Sequence, residues 1–175
     1  MTVAFRNLRI GPDHPVAEWP TEAVQAALER GDLREWRRLA VEIGADPWGR
    51  SARQVEEVLG HSRPYGVADL FERAIAAARG RAEQEERAAV AAELKELVAS
   101  AAVTQAEFAS RIGTSASRLS SYVNGAVVPS AALMVRARNT ARALAGMPIS
   151  GEEALAMRGA GAIQGARGDR GPRRA

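Results

Sequence analysis

The run Val103-Thr-Gln-Ala-Glu-Phe-Ala-Ser-Arg-Ile-Gly-Thr-Ser-Ala-Ser-Arg-Leu-Ser-Ser-Tyr-Val-Asn-Gly125, closed by Pro129, leaves this chain little choice of local structure. Thr104 has the short hydroxyl side chain that caps a helix start, and Glu107 stands behind it at capping-box spacing. Phe108, Ala109 and Ile112 form one apolar stripe, with Ala109 small where two helices must cross. Gly113 supplies a turn of positive φ, which a branched residue adopts only at a cost. Thr114 is read as the cap of the next helix, Ser115 to Val123, with Leu119 and Tyr122 turned inward. Ser115, Ala116, Ser117, Arg118 and Ser121 are left outward. Asn124-Gly125 ends this helix as a left-handed cap. Pro129 and Ser130 open a further one, whose Leu133, Met134, Ala137, Ala141 and Leu144 close the core.

Four more helices are read between Pro20 and Gly80. Thr21 caps Glu22 to Arg30, and Gly31 stops it. Asp32 caps Leu33 to Ile43, where Leu33, Trp36, Leu39, Ala40 and Ile43 fall at helical spacing and Gly44 ends the helix. Asp46-Pro47 starts the third, with proline at the first helical position; Trp48, Ala52, Val55 and Leu59 line it and Gly60 stops it. After Pro64 a fourth carries Val67, Leu70, Phe71, Ile75 and Ala78. This predicts a small helical unit, residues 19–80, with an aromatic core of Trp36, Trp48 and Phe71.

Residues 81–101 are rich in strong helix formers and predict a long helix joining the two units. Gly80 either breaks it from the preceding helix or only weakens one continuous element. Its face of Val90, Leu94, Leu97 and Val98 points into the second domain, while Glu83, Glu85, Glu86, Glu93 and Glu96 mostly face water. The ends are less regular. Residues 1–18 form a leader, read either as a short strand over Thr2–Ile10 or as a poorly ordered terminus. Residues 147–175 form a Gly/Arg-rich, mobile basic tail, within which Met147–Met157 is read as a short helix with Ser150 and Glu153 as its capping box. The expected fold is all-α.

Composition narrows the function classes. The absence of cysteine excludes disulfides and thiolate metal sites, and points away from secretion. No apolar run reaches the length that spans a bilayer, and the first residues lack the apolar stretch of a signal peptide, so a cytoplasmic protein is expected. His14 and His61 are isolated in turn-like segments. No nucleophile–base set, metal spacing or phosphate-binding glycine loop stands out, and Gly159-x-Gly161-x-x-x-Gly165 lacks the preceding strand a dinucleotide site needs. An enzyme is therefore not expected, nor a cofactor or metal. Of 24 basic residues only Lys95 is lysine, so part of the arginine excess is compositional. The net charge of +3 is nonetheless unevenly placed. From Thr104 to Gly146, Arg111, Arg118, Arg136, Arg138 and Arg142 stand against the single acid Glu107, a surface suited to phosphates. For Arg136, Arg138 and Arg142 a solvated face is the other reading. The tail arginines add either non-specific DNA affinity or nothing defined.

Residues from about 90 to 146 resemble the lambda-repressor-like helix-turn-helix family, also called the Cro/C1 or XRE type. The resemblance rests on Thr104-Gln105-x-x-x-Ala109, Gly113, Ser117, Leu119-Ser120 and Asn124-Gly125-x-x-x-Pro129. It implies a five-helix DNA-binding domain and double-stranded DNA as ligand. It also implies roles for particular residues. Gln105 would bond a phosphate and brace the second motif helix. Ser115, Ala116, Ser117 and Ser121 fall where relatives touch base edges. Arg118 and Asn124 fall where relatives reach the backbone, although Arg118 alternatively reads a guanine through O6 and N7. Where several relatives hold an Arg–Glu pair, this chain has Val98 and Val123, and an apolar contact is expected instead. The expected function is a sequence-specific transcriptional regulator, most often a repressor in this family. It would act as a nucleoid-associated homodimer, with helix 115–123 of a DNA-binding domain over 81–146 in the major groove and residues 19–80 as the candidate for dimerisation or partner binding. The alternative is an antitoxin-type regulator whose N-terminal unit binds and neutralises a partner protein.

Overall fold

The computed structural model describes residues 10–146, which form seven α-helices and one 3-10 turn, Val16–Glu18, with no strand among them. The all-α expectation holds. Residues 2–9 of the strand read in the leader, the short helix over Met147–Met157 and the basic tail lie outside the described residues. The helices are α1 (Thr21–Arg30), α2 (Leu33–Ala45), α3 (Arg50–His61), α4 (Val67–Ser100), α5 (Gln105–Arg111), α6 (Ala116–Val123) and α7 (Ala131–Leu144). The chain divides into two compact units, Met1–Glu86 and Arg87–Ala175. Helix α4 runs unbroken through Gly80 and gives its first half to one unit and its last turns to the other.

In the first unit α1 and α2 both lie against α3. The sequence placed the helices well but several of their ends poorly. Thr21 is the first residue of α1 and not its cap; Pro20 takes that place, and the Thr21 hydroxyl accepts from Gln54 Nε2 at 3.3 Å. Asp32 does cap α2, in a reciprocal box with Glu35, whose carboxylate accepts the Asp32 amide at 3.1 Å. That helix continues through Gly44, which does not stop it, to Ala45. Asp46-Pro47-Trp48-Gly49 is a turn closed by Gly49 N–H on the Asp46 carbonyl at 3.1 Å, so α3 begins at Arg50. It ends one residue beyond Gly60, which is helical.

These shifts change the core. Trp48 sits in the turn and is 43% exposed, so it is not a core residue. Leu33 and Ala40 lie on the outer face of α2, and Leu70 is exposed on α4. The buried aromatic residues are Trp19 and Phe71, packed with Val24, Leu28, Leu39, Ile43, Val55 and Val58. Trp36 is half-buried at the edge and donates through Nε1 to the Ala27 carbonyl at 2.9 Å. Trp19 donates to the His14 carbonyl at 3.0 Å, and the Arg38 guanidinium covers its ring at 5.4 Å from the centroid. Arg38 also donates to the carbonyls of Pro12 and His14. Polar groups of α2 thus hold the segment before α1 onto the core.

The second unit has its own core of Leu94, Ala101, Phe108, Ala109, Ile112, Leu119, Leu133, Met134, Ala137 and Ala141. Val90, Leu97 and Val98 of α4 pack against it, as the spacing predicts, and so does Val123 at the end of α6. Up to Gly146 the domain holds four helices, the last turns of α4 with α5, α6 and α7, one fewer than the five expected from the resemblance.

Candidate nucleic-acid interface

Helices α5 and α6 owe their boundaries to local hydrogen bonds. The Thr104 hydroxyl accepts the Glu107 amide at 3.2 Å and caps α5. The return half of the expected box is missing, because the Glu107 carboxylate turns to Arg111 at 2.6 Å. Past Arg111 the chain closes in a Schellman motif. Gly113 N–H bonds the Ser110 carbonyl at 3.1 Å, and Thr114 N–H reaches Ala109 at 2.9 Å. Gly113 has φ +74°, the left-handed conformation its sequence position predicts. A second Schellman motif ends α6: Gly125, at φ +70°, bonds Tyr122, and Ala126 bonds Ser121. The C-cap residue Asn124 itself has φ −87°. The glycine-closed end of α5 and the short turn after it set α6 against α5, and Phe108, Ala109, Ile112 and Leu119 fill the crossing without any exposure.

The cap of α6 is Ser115 and not Thr114: the Ser115 hydroxyl accepts the Arg118 amide at 3.2 Å. Helix α6 therefore starts one residue later than the pattern suggests. Ser115, Ala116, Ser117 and Arg118 are all exposed and contiguous at its N-terminal end. Ser121, one turn on, is half-buried and donates its hydroxyl to the Ser117 carbonyl at 3.2 Å, leaving its oxygen lone pairs outward-capable. Asn124 is exposed, with its amide 3.5 Å from the Ser120 hydroxyl. Gln105 is the exposed first residue of α5. All seven residues predicted to contact DNA thus lie on α5, α6 and their flanking caps.

The arginines of this unit are not equivalent. Arg111 is paired with Glu107 at 2.6 Å. Arg138 makes two bonds to Glu93 of α4, at 2.5 and 3.0 Å. That contact holds the Glu93 carboxyl below the usual glutamate range and raises the Arg138 guanidinium above its ordinary value; the hydrogen bond is the main cause in both. Glu93 therefore does not simply face water, and Arg138 is not simply solvated. Forty-five residues separate the two, so no local pattern in the sequence announces the pair. Arg118 and Arg136 are exposed and meet no carboxylate among the described residues. No group of acidic, histidine or cysteine side chains among the described residues is arranged to hold a metal ion.

An all-α unit whose two short helices are locked at a glycine turn, with one helix end left bare, is the architecture of a helix-turn-helix protein. The comparison with known families agrees: residues 89–145 match a family model described as a helix-turn-helix domain. This segment is a helix-turn-helix domain of the lambda-repressor-like type, which marks the protein as a DNA-binding regulator in the general sense. Domains of this kind bind DNA and are not enzymatic. No curated protein and no solved structure matches the chain. No helix among the described residues is long and apolar enough to cross a membrane.

Proposed function

We propose that this protein is a sequence-specific transcriptional regulator acting as a repressor, with α6 inserted in the major groove of double-stranded DNA. The observation that carries the reading is the bare N-terminal end of α6. Ser115, Ala116, Ser117 and Arg118 are exposed together on a helix whose opposite side is anchored by the fully buried Leu119. Small side chains let the helix backbone come close to base edges, and a serine hydroxyl pairs with any base. Among these four residues Arg118 supplies the long, charged side chain, suited to guanine or to phosphate. Gln105 and Asn124 flank it as phosphate-contacting groups. Because the reading face is chemically permissive, discrimination draws on DNA shape and bridging water as well as direct contacts. Two copies would read half-sites about 34 Å apart.

Selection of bound fragments from a random duplex library tests this directly. The expected result is an enriched, two-fold symmetric consensus with half-sites one helical turn apart. Enrichment of no sequence above the starting pool would refute sequence-specific regulation, and a single unsymmetrical site would refute the dimer.

A second reading, partner binding by the first unit, has its own support. The outer face of α2 carries Leu33 and Val41, 68% and 67% exposed, on either side of the exposed Arg37. Monomeric surfaces scatter such residues singly, whereas a basic–apolar strip on one helix suits a protein partner. In this reading residues 19–80 bind and neutralise a partner, as in an antitoxin-type regulator, while the helix-turn-helix domain controls the shared operon. Expression beside the neighbouring gene product, followed by co-purification, tests it; loss of the complex in Val41→Asp would assign the contact to α2.

A further inference from the structure

We propose that Arg136, on α7, is a phosphate anchor of the helix-turn-helix domain, held over the turn that leads into α6. The proposal rests on the DNA-binding reading above and adds to it a residue outside the two motif helices. It starts from the disposition of charge. Five arginines lie between α5 and the end of α7, and most are already engaged. Arg111 is held by Glu107 and Arg138 by Glu93, each through a guanidinium–carboxylate contact of 2.6 Å or less. Arg142 is not free either. Arg136 is exposed and meets no carboxylate among the described residues, so its full charge is available to an anion.

Its position gives that charge a direction. A Cβ placed on Gly113 would stand 3.0 Å from Arg136 Nη1, with the guanidinium carbon 4.0 Å away. The head of Arg136 thus lies close against the face of Gly113 where another residue would carry its Cβ. The cation comes from α7 yet lies at the α5–α6 turn, two residues before the Ser115 cap. That is the end of α6 where the bare residues Ser115 to Arg118 are grouped. A helix that enters the major groove by this end brings the turn alongside the phosphates that border the groove. The planar fork of donors on Arg136 suits a phosphate oxygen pair. Gly113 is glycine for its left-handed backbone, and the missing side chain lets the Arg136 head come close to the turn.

The competing role is structural, a cation covering the carbonyl end of α5. Salt dependence separates the two. Binding of the full chain to a fluorescent 30-base-pair duplex of arbitrary sequence is measured by anisotropy across a series of KCl concentrations. A lost phosphate contact lowers the slope of log K against log salt by about 0.9, which corresponds to roughly eightfold weaker binding at 0.1 M salt. Arg136→Ala is expected to show both effects and Arg136→Lys to keep the slope. The paired change Glu93→Gln with Arg138→Gln, which removes an internal ion pair without altering net charge, is expected to match the wild type. An Arg136→Ala protein with a lower melting temperature but unchanged slope and affinity overturns the proposal in favour of the structural role. If that variant does not fold, Arg136→Gln, which keeps a stem over Gly113, is read by the same criteria. A wild-type chain that binds no duplex at low salt removes the DNA-binding reading itself and the proposal with it, so the two failures are distinct.

Discussion

The Ser115 hydroxyl accepts the backbone N–H of Arg118 at 3.2 Å, so the first of the α6 residues proposed to meet DNA is also the cap of that helix. A short helix of eight residues depends heavily on such a bond, because few internal hydrogen bonds share the work. The same oxygen keeps a second lone pair, which the proposed function would use for a base or phosphate.

Two substitutions separate these duties. Ser115→Ala is expected to lower stability by about 1 kcal/mol in urea unfolding and to weaken DNA binding as well. Ser115→Asp restores a good cap and is expected to recover the stability, yet it sets a carboxylate against the DNA phosphates. Binding by the aspartate variant at wild-type affinity would show that position 115 does not approach DNA.

Gly113→Ala tests the turn. A left-handed residue with a Cβ costs roughly 1–2 kcal/mol, and here the added methyl also meets Arg136 at 3.0 Å. Calorimetry on the full chain should show the loss. If Gly113→Ala melts like the wild type, the φ of +74° is not required at this position.

The helix-turn-helix segment was legible because its signals are local. Thr104, Gly113, Gly125 and Ser130 act on backbone groups within five residues of themselves, and each does in the fold what its type predicts. Thr114 misled because it and Ser115 are both good caps, and only the backbone decides between them; at Ser115 φ is −85° and ψ 154°. The first unit was harder to read because its core depends on long-range contacts. Trp48 has helical spacing with Ala52, Val55 and Leu59, yet the Asp46–Gly49 turn lifts it off the helix. Trp19, in contrast, sits between Pro15 and Pro20 where no periodicity is expected, and becomes fully buried because Arg38, Gln54 and the His14 carbonyl hold it. The spacing Val16, Trp19, Ala23 was the available signal: all three are buried. The Glu93–Arg138 pair had none, since ion pairs between distant elements leave no periodic trace.

That pair carries a pH dependence. Glu93 titrates below the ordinary glutamate value of about 4.3 when folded, because Arg138 bonds its ionised form. Its contribution to stability is therefore complete above that ordinary value and disappears as pH falls through the depressed one. Glu93→Gln should melt slightly below the wild type near neutrality and converge with it in acid. The difference is small, as both side chains are nearly half exposed. A gap that widens towards low pH would contradict the assignment.

Trp19 and Phe71 anchor a core separate from the one built on Leu94 and Phe108, and this separation is open to test. Trp19→Ala removes a fully buried indole, the hydrogen bond it donates to His14 and the ring beneath Arg38. The expected cost is roughly 3–5 kcal/mol, enough to unfold a small helical unit. Hydrogen exchange should show lost protection across α1, α2 and α3, while α5, α6 and α7 keep theirs. Binding of a single DNA-binding domain to short duplex should persist. Cooperative melting of every helix in Trp19→Ala would mean instead that the second core depends on the first.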